Sequence, residues 1–358
     1  MNRLLVKLLA LILALATAAT VQAAGTLNIY WTDMEGGAGT LIVTPAGESI
    51  LVDTGNPSRT NQQDSSAVRT HAAAVAAAVS KIDYLIITHF HMDHFGGAAD
   101  LAKLMPIGVV LDNGLPDHDS DSVTNNDQRF LRSIQPYRDL KADSRQVISP
   151  GQVLPLKQAS DAAPLTFYCV GARKEFPIPG NPLSNPLCSE GAEHAVDTTD
   201  NANSIVMLLR FGPFKFFLGG DLTWNTEAKV VCPSNVVGTV DVYQVDHHGL
   251  DLSNNPLLVR SLSPTVSVMS NGPRKGANPG ALATLRSVPS LQTMWQIHRN
   301  TLGGAEVNTD NQYIANLSAK CEGNYIKCSV DPSGKSYTVS IPATGVSKTY
   351  ATTLDRPY

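Results

Sequence analysis

One short loop carries three histidines and an aspartate within six positions: His89, His91, Asp93 and His94. The apolar run 84–87 precedes it and a Gly-Gly pair follows it, which predicts a loop between a buried strand and a helix. His89 and His91 are two positions apart on an extended segment, so their side chains leave the same side of the chain and can converge on one ion. Asp93 and His94 follow where the chain turns and can face a second ion. Imidazole and carboxylate ligands together suit zinc, and also manganese or iron.

Two further strand ends present metal-binding side chains. The apolar runs 203–211 and 213–218 predict two strands around a Gly-Pro turn, and the second strand leads into Gly219, Gly220 and Asp221. The run 240–245 predicts another strand, which ends in the sequence Asp-His-His-Gly with His247 and His248. A carboxylate at such a strand end can bridge two ions with its two oxygens. Three metal-competent strand ends in one chain predict that they form a single site.

The loop resembles the signature of the metallo-β-lactamase superfamily, His-x-His-x-Asp-His. The resemblance implies a four-layer αββα sandwich and a site with two divalent metal ions. In that site His89 and His91 would hold the first ion, and Asp93 and His94 the second. Asp221 would lie between the ions, and His248 would complete the second ion's ligands because the last ligating histidine of the superfamily often directly precedes a glycine. Asp93 and His247 are the predicted catalytic residues, with His247 facing substrate as a hydrogen-bond donor or general acid.

The order of the motifs resembles more narrowly the extracytoplasmic hydrolase domain of the competence protein ComEC and its free-standing relatives. The segments that carry this resemblance are 203–206, 219–221, 247–249 and 263–272. Two positions depart from it: Leu250 stands where relatives usually carry serine, and Asn278 precedes Pro279 where they usually have a His-Pro pair. The resemblance implies hydrolysis of phosphodiester or other phosphoester bonds.

Four other polar residues are weaker candidates for the site. Asp53 ends the predicted strand 49–52, where a superfamily aspartate commonly supports the metal loop, although a turn aspartate that caps its own backbone fits equally. His194 is the upstream candidate for a third histidine on the first ion, a ligand that ComEC-like proteins often lack. His298 either lines the pocket or is an ordinary strand histidine. His118 lies in a polar tract with five aspartates, which is typical of a surface loop.

The composition indicates a globular protein, and the sequence of residues 1–23 indicates that it is exported. Of 358 residues, 43% are hydrophobic and 16% are charged, so a large buried core is expected. Residues 1–23 have a basic start, an apolar run and a small-residue end, which predicts a cleaved export signal and a periplasmic or extracellular location. Its removal takes away two positive charges, so the formal net charge goes from −4 to −6. A nucleic-acid substrate is therefore possible but not favoured, and no membrane association is expected after cleavage.

The remaining chain is divided at residue 295. Residues 24–295 are the predicted hydrolase domain, and residues 296–358 a β-rich extension or the closing strands of the second sheet. Strands are predicted at 26–31, 40–44, 49–52, 84–87, 107–111, 151–156, 165–170, 312–317 and 336–341, and helices at 66–80, 97–104 and 130–140. In an oxidising compartment the five cysteines allow two disulfides and leave one thiol. The preferred pair is Cys321 with Cys328, and a second candidate pair is Cys169 with Cys188.

Three functions are compatible with these features. The first is an exported binuclear metal-dependent hydrolase of phosphoesters that uses a metal-activated hydroxide. The second shares the metal site but opens cyclic esters or amides, as a lactonase or β-lactamase does. The third is a secreted scaffold that keeps the fold without turnover. The sequence sets no oligomeric state.

Overall fold

The computed structural model describes residues 25–59, 64–121, 127–178 and 184–353. The predicted export signal, residues 1–23, lies outside these residues. Within the described part of the chain, none of the helices combines the length and the apolar character that crossing a bilayer requires.

The first of two sheets has nine strands in the order β16-β15-β14-β1-β2-β3-β4-β5-β6. Strands β1, β2 and β3 form the expected antiparallel meander, and β3, β4, β5 and β6 run parallel to one another. Their bounds are Leu27–Trp31 (β1), Thr40–Val43 (β2), Ser49–Val52 (β3), Ile82–Ile86 (β4), Ile107–Asp112 (β5), Ser144–Val147 (β6), Ile326–Val330 (β14), Ser336–Ile341 (β15) and Val346–Ala351 (β16).

The second sheet has seven strands in the order β13-β12-β11-β10-β9-β8-β7. The strands from β9 to β13 run parallel to one another, whereas β8 is antiparallel to both β7 and β9. Their bounds are Leu165–Gly171 (β7), Val206–Phe211 (β8), Phe214–Leu218 (β9), Val242–Gln244 (β10), Val266–Met269 (β11), Thr293–His298 (β12) and Ile314–Asn316 (β13).

Helices cover the outer face of each sheet, so the molecule has the four layers of an αββα sandwich. The helices are Ser66–Ala76 (α1), Met92–Phe95 (α2), Ala98–Leu101 (α3), Gln128–Arg138 (α4), Trp224–Val231 (α5), Pro256–Leu262 (α6) and Pro279–Arg286 (α7). Between the sheets lies a core to which β1 contributes Trp31 and β9 contributes Phe216, whose rings meet edge to face. A second core lies between the second sheet and α5, α6 and α7, and a third lies between the first sheet and α1, α3 and α4. The predicted fold class is confirmed.

The chain after residue 295 contributes to both sheets. Residue 295 lies in the middle of β12, β13 extends the second sheet, and β14 pairs antiparallel with β1 to extend the first. The strand predicted at 151–156 is wrong, since only Val153 forms an isolated bridge there, to Tyr168. This segment lies beside β7 at the edge of the sheet, where backbone hydrogen bonds such as Gly151 N to Cys169 O and Leu154 N to Phe167 O hold it without a continuous ladder.

The predicted cysteine pairs are both wrong. The structure joins Cys188 to Cys232, which are 44 positions apart, while Cys169, Cys321 and Cys328 are free thiols. Cys328 lies inside β14 and points into the core between the sheets, so it cannot reach Cys321 on the preceding loop. Proximity in sequence therefore suggested a pair that the strand geometry prevents.

Candidate metal centre

The predicted ligands all follow the carboxyl ends of strands at one edge of the two sheets. In the first sheet β3 leads into Asp53 and β4 leads into the loop with His89. In the second sheet β9 leads into Asp221 and β10 leads into His248. Because β3 and β4 are parallel, and β9 and β10 are parallel, each pair of strand ends lies together. The sandwich then brings the two sets face to face.

Four of the predicted residues form a compact cluster: Asp93, His94, Asp221 and His248. One potential ligand atom from each lies within 4.8 Å of those of the others. Asp221 Oδ2 is central, at 3.1 Å from His94 Nε2 and 3.3 Å from His248 Nε2. Asp93 Oδ2 is 3.2 Å from His248 Nε2 and 3.7 Å from His94 Nε2. The cluster thus joins the loop after β4 to two turns of the opposite sheet.

His89 and His91 lie beside this cluster. The ring of His89 is 4.1 Å from the ring of His94 and 4.6 Å from that of His91, measured between ring centres. His89 Nε2 is buried and has no hydrogen-bond partner in the described residues. His91 is partly exposed, and its Nε2 lies 2.7 Å from Oδ2 of Asp121. The structure therefore adds an acidic neighbour, Asp121, that the sequence placed in a surface loop.

Hydrogen bonds to the far side of the rings fix which nitrogen faces the cluster. His94 Nδ1 lies 2.8 Å from Asp53 Oδ2, and the same carboxylate accepts hydrogen bonds from the backbone N and the hydroxyl of Thr88. His248 Nδ1 lies 2.9 Å from the backbone carbonyl oxygen of Ser270. Since both acceptors require a proton on Nδ1, the Nε2 lone pairs of both rings face the cluster. Asp53 thus contacts the metal loop as the resemblance implied, and does not cap its own turn.

The turn after β10 has an unusual backbone. His247, His248 and Gly249 have successive φ values of 51°, 55° and 79°. This left-handed conformation costs non-glycine residues about 1–3 kcal/mol each and is often found at functional sites. A hydrogen bond from His247 N to Gly220 O, 3.0 Å long, joins this turn to the turn that carries Asp221. The position of this turn relative to the turn with Asp221 therefore depends on a strained backbone that contacts with neighbouring residues hold in place.

The carboxylates and imidazoles of the cluster stabilise one another's charged forms. Burial by itself would raise the pKa of Asp221 and lower that of His94. The surrounding imidazoles nevertheless hold the pKa of Asp221 well below its usual range, and Asp221, Asp53 and Asp93 hold the pKa of His94 well above it. The Nε2 atoms of His94 and His248 are buried without a hydrogen-bond partner among the described residues. Buried carboxylates beside unpartnered imidazole nitrogens are the donor set that divalent metals bind, so the residues fit such ions.

Two further residues, His247 and Lys275, contact the carboxylates of the cluster. His247 Nε2 is 3.5 Å from Asp221 Oδ2, and its Nδ1 is 3.0 Å from the hydroxyl of Ser253. Burial lowers the pKa of His247 to about 4, so the ring is neutral at neutral pH. Lys275, on the loop before α7, makes an ion pair with Asp93 Oδ2 and keeps 40% of its side chain exposed.

Three histidines considered as candidates lie elsewhere. His194 is exposed and stacks on Trp224 with ring centres 3.8 Å apart. His118 is on the surface beside Asp117, and His298 is buried against Asp33. Sequence reasoning missed Asp121 and Lys275. The only signals for them were the aspartate-rich tract 112–127 and the Arg-Lys-Gly sequence at 274–276.

Comparisons with known proteins agree with this geometry at the level of a superfamily. Residues 35–159 match the family model described as the metallo-beta-lactamase superfamily, and this region includes the histidine loop. No curated protein sequence matches the chain. Residues 35–159 therefore match a metallo-β-lactamase superfamily domain, which confirms the predicted enzyme class at the level of the superfamily. The turns with Asp221 and His248 lie beyond the matched region, and the fold brings them to it.

Several solved structures are distantly similar. A mutant of CmlA, a diiron beta-hydroxylase from Streptomyces venezuelae, is 17% identical with a TM-score of 0.42, over 83% of this chain and 59% of that chain. A diphosphatase of the PhnP family is 13% identical with a TM-score of 0.38, over 76% of this chain and 94% of that chain. A metal-dependent hydrolase from Parabacteroides distasonis has the same identity and TM-score, over 75% of this chain and 92% of that chain. This chain thus spans 59% of the length of the hydroxylase.

Proposed function

We propose that the protein is an exported binuclear metal-dependent hydrolase of phosphodiester or other phosphoester bonds. The observation that carries this proposal is the convergence of Asp93, His94, Asp221 and His248, with two imidazole nitrogens buried and unpartnered. Such a donor set suits divalent cations, and zinc is the favoured metal, with manganese and iron as alternatives.

The contacts within the cluster support one ligand assignment. Asp93, His94 and His248 would hold the second ion together with Asp221, whose Oδ2 contacts the rings of both His94 and His248. The resemblance implies that Asp221 would also reach the first ion. His89 and His91 hold the first ion. The carboxylate of Asp121, 2.7 Å from His91 Nε2, replaces the third histidine for which His194 was a candidate.

Activation of water at neutral pH and stabilisation of charge on a phosphoryl oxygen are the chemistry that divalent ions supply in such a site. The chain's own residues orient the ligands and bind the substrate. Asp53 and the Ser270 carbonyl keep the protons of His94 and His248 on Nδ1. His247, neutral at pH 7, acts as a hydrogen-bond donor to substrate from Nε2 when Ser253 donates to its Nδ1.

An anionic substrate suits the rim of the site. Lys275 is the cationic side chain in contact with the cluster, and two-fifths of it remains exposed. Its ammonium group can leave Asp93 for a phosphoryl oxygen when Asp93 binds metal. A phosphoester, which is negatively charged, gains more from this lysine than a neutral lactone does. The ComEC-like motif order also favours phosphoester hydrolysis.

Export is supported by two features of the chain. The pattern at 1–23 is typical of a secretory signal. The disulfide between Cys188 and Cys232 is typical of proteins that fold in an oxidising compartment.

The test is a metal and substrate panel on the mature protein. We expect hydrolysis of bis-para-nitrophenyl phosphate that is lost after chelation and restored by zinc or manganese, with about two ions per chain by elemental analysis. Asp93→Asn should abolish turnover, whereas Asp143→Asn, a control at a carboxylate that is 69% exposed, should not change it.

Other outcomes would replace the proposal. Turnover of nitrocefin or acyl lactones with phosphodiesters ignored would assign a β-lactamase or lactonase. A metal-loaded protein without turnover on any of these compounds, and with wild-type behaviour of Asp221→Ala in the host, would assign a scaffold.

A further inference from the structure

A second group of ligand-type side chains lies outside the metal centre. It consists of Asp33, His298 and Cys321, whose potential ligand atoms lie within 4.8 Å of one another. Asp33 Oδ1 is 2.8 Å from His298 Nε2, and the thiol of Cys321 donates to Asp33 Oδ2 over 3.1 Å. The side chains of Asp33 and His298 are fully buried, and Cys321 is partly exposed. The mechanism proposed above uses none of the three.

The group joins three distant segments of the chain. Asp33 follows β1 of the first sheet, His298 ends β12 of the second sheet, and Cys321 lies in the connection between β13 and β14. A bond among these side chains would therefore link the two sheets to each other and to the connection between β13 and β14. No covalent bond does so, since Cys321 is a free thiol.

We propose that Asp33, His298 and Cys321 form a separate site for a transition metal, with zinc the best match. One sulfur, one imidazole nitrogen and one carboxylate oxygen are the three ligand types that zinc takes in proteins. Bond lengths of about 2.0–2.3 Å at tetrahedral angles place such donors roughly 3.3–3.6 Å apart. The present separations of 2.8 and 3.1 Å therefore need an increase of only about 0.5 Å to admit the ion.

The charged side chains around Asp33, His298 and Cys321 allow a cation to bind there. Arg69 is the nearby cation, but its guanidinium pairs with Glu35 at 3.5 Å and donates from Nε to the backbone carbonyl of Asp33. It therefore leaves the Asp33 carboxylate available. Cys321 also lines a cavity of about 790 Å³ that Glu35 and Met92 share, so an ion can reach the thiol from solvent.

Proton balance gives the site a measurable pH dependence. The metal replaces the thiol proton of Cys321, which leaves to solvent, and binds the neutral form of His298 at Nε2. The carboxylate of Asp33 binds as the anion. One proton, that of the Cys321 thiol, is thus released per ion that binds.

Occupation would stabilise the loop that covers the metal centre. The backbone N of Ala38 donates to the carbonyl of Asp93 over 3.1 Å, and Gly36 packs against Lys275. Both residues lie within five positions of Asp33. An ion at Asp33 would therefore fix the segment that contacts Asp93 and Lys275 without contacting substrate itself.

Cobalt is the probe, because a cobalt–thiolate bond has a charge-transfer absorption that nitrogen and oxygen ligands lack. The full mature protein, stripped with a chelator, is titrated with Co²⁺. We expect the thiolate band to appear in the wild type and to be lost in Cys321→Ser, together with one bound ion per chain. Cys328→Ala, which removes a buried free thiol seven positions away, is the matched control and should keep the band.

Asp221→Asn separates this proposal from the function proposed above. It should lose ions from the metal centre and keep the thiolate band. His298→Gln, with its melting temperature measured to verify folding, should weaken cobalt binding at the thiolate while phosphoesterase metals remain bound. No thiolate band in the wild type, a band that Cys321→Ser retains, or a band lost in Asp221→Asn would overturn the separate site.

Discussion

The hydrogen bond from His94 to Asp53 makes a sharp prediction about metal affinity. Asp53 is buried, has a φ of 61°, and accepts three hydrogen bonds from Thr88 and His94. Asparagine also tolerates this left-handed conformation, so Asp53→Asn should leave the backbone in place. Its carbonyl oxygen can still accept from the Thr88 backbone N. Its amide group, however, would donate to His94 Nδ1.

That reversal moves the proton on His94. With Nδ1 as acceptor, the ring must carry its proton on Nε2, which then cannot bind a metal. Loss of a partner of this kind costs about 10–100-fold in metal affinity or activity. This corresponds to ~1.4–2.8 kcal/mol. We therefore expect Asp53→Asn to weaken binding at the second ion by this factor, with a similar loss of phosphodiester turnover.

The assay is a zinc competition titration against a chromogenic chelator, with turnover of bis-para-nitrophenyl phosphate measured in parallel. Asp83→Asn is the matched control, because Asp83 also accepts hydrogen bonds from a neighbouring strand, through Ser49, but lies outside the metal cluster. An unchanged zinc affinity in Asp53→Asn, or an equal loss in Asp83→Asn, would refute the assignment of Asp53 as the residue that sets the His94 tautomer.

Three further predictions concern Lys275, the disulfide and Asp331. Lys275→Gln should raise KM for the phosphodiester roughly fivefold with little change in kcat, since an exposed ion pair contributes about 1 kcal/mol. Steady-state kinetics measure both constants, and a fall in kcat alone would contradict this prediction. Replacing Cys188 and Cys232 together by alanine should lower the free energy of unfolding in urea by about 4 kcal/mol, from the chain-entropy cost of a 44-residue separation; reductant should have this effect only on the wild type. Hydrogen bonds from two serines overcome burial and lower the pKa of Asp331 to about 2, so its stabilisation is present above pH 3.8 and is lost as pH falls toward 2. Asp331→Asn should therefore reduce acid sensitivity in that window of a pH-dependent melting series.

The sequence determined much of the fold because its signals are local. Alternating and continuous apolar runs indicate where strands lie, and most predicted strands are present with bounds that differ by at most three residues. The strand predicted at 151–156 is wrong because an apolar pattern does not reveal whether a neighbouring strand can pair with the segment along its whole length. No bounds were predicted for β6, β11, β12, β14 and β16, of which β6 and β16 are edge strands with largely polar sequences.

The site divides in the same way. The types and spacing of His89, His91, Asp93 and His94 are local, so the sequence alone indicated a metal loop. The approach of Asp221 and His248 to that loop depends on how two sheets pack, which no local pattern encodes, and here the resemblance supplied the expectation.

Only the tertiary structure decided the remaining partners. Asp121 reaches His91 from a loop 30 positions away, Lys275 reaches Asp93 from 182 positions away, and Cys188 meets Cys232 instead of a closer cysteine. Each contact joins segments on different elements, so it is set by the packing of the sandwich and not by the composition of either segment. For the same reason no local pattern indicated that Asp33, His298 and Cys321 lie together, because they lie after β1, at the end of β12 and in the connection between β13 and β14.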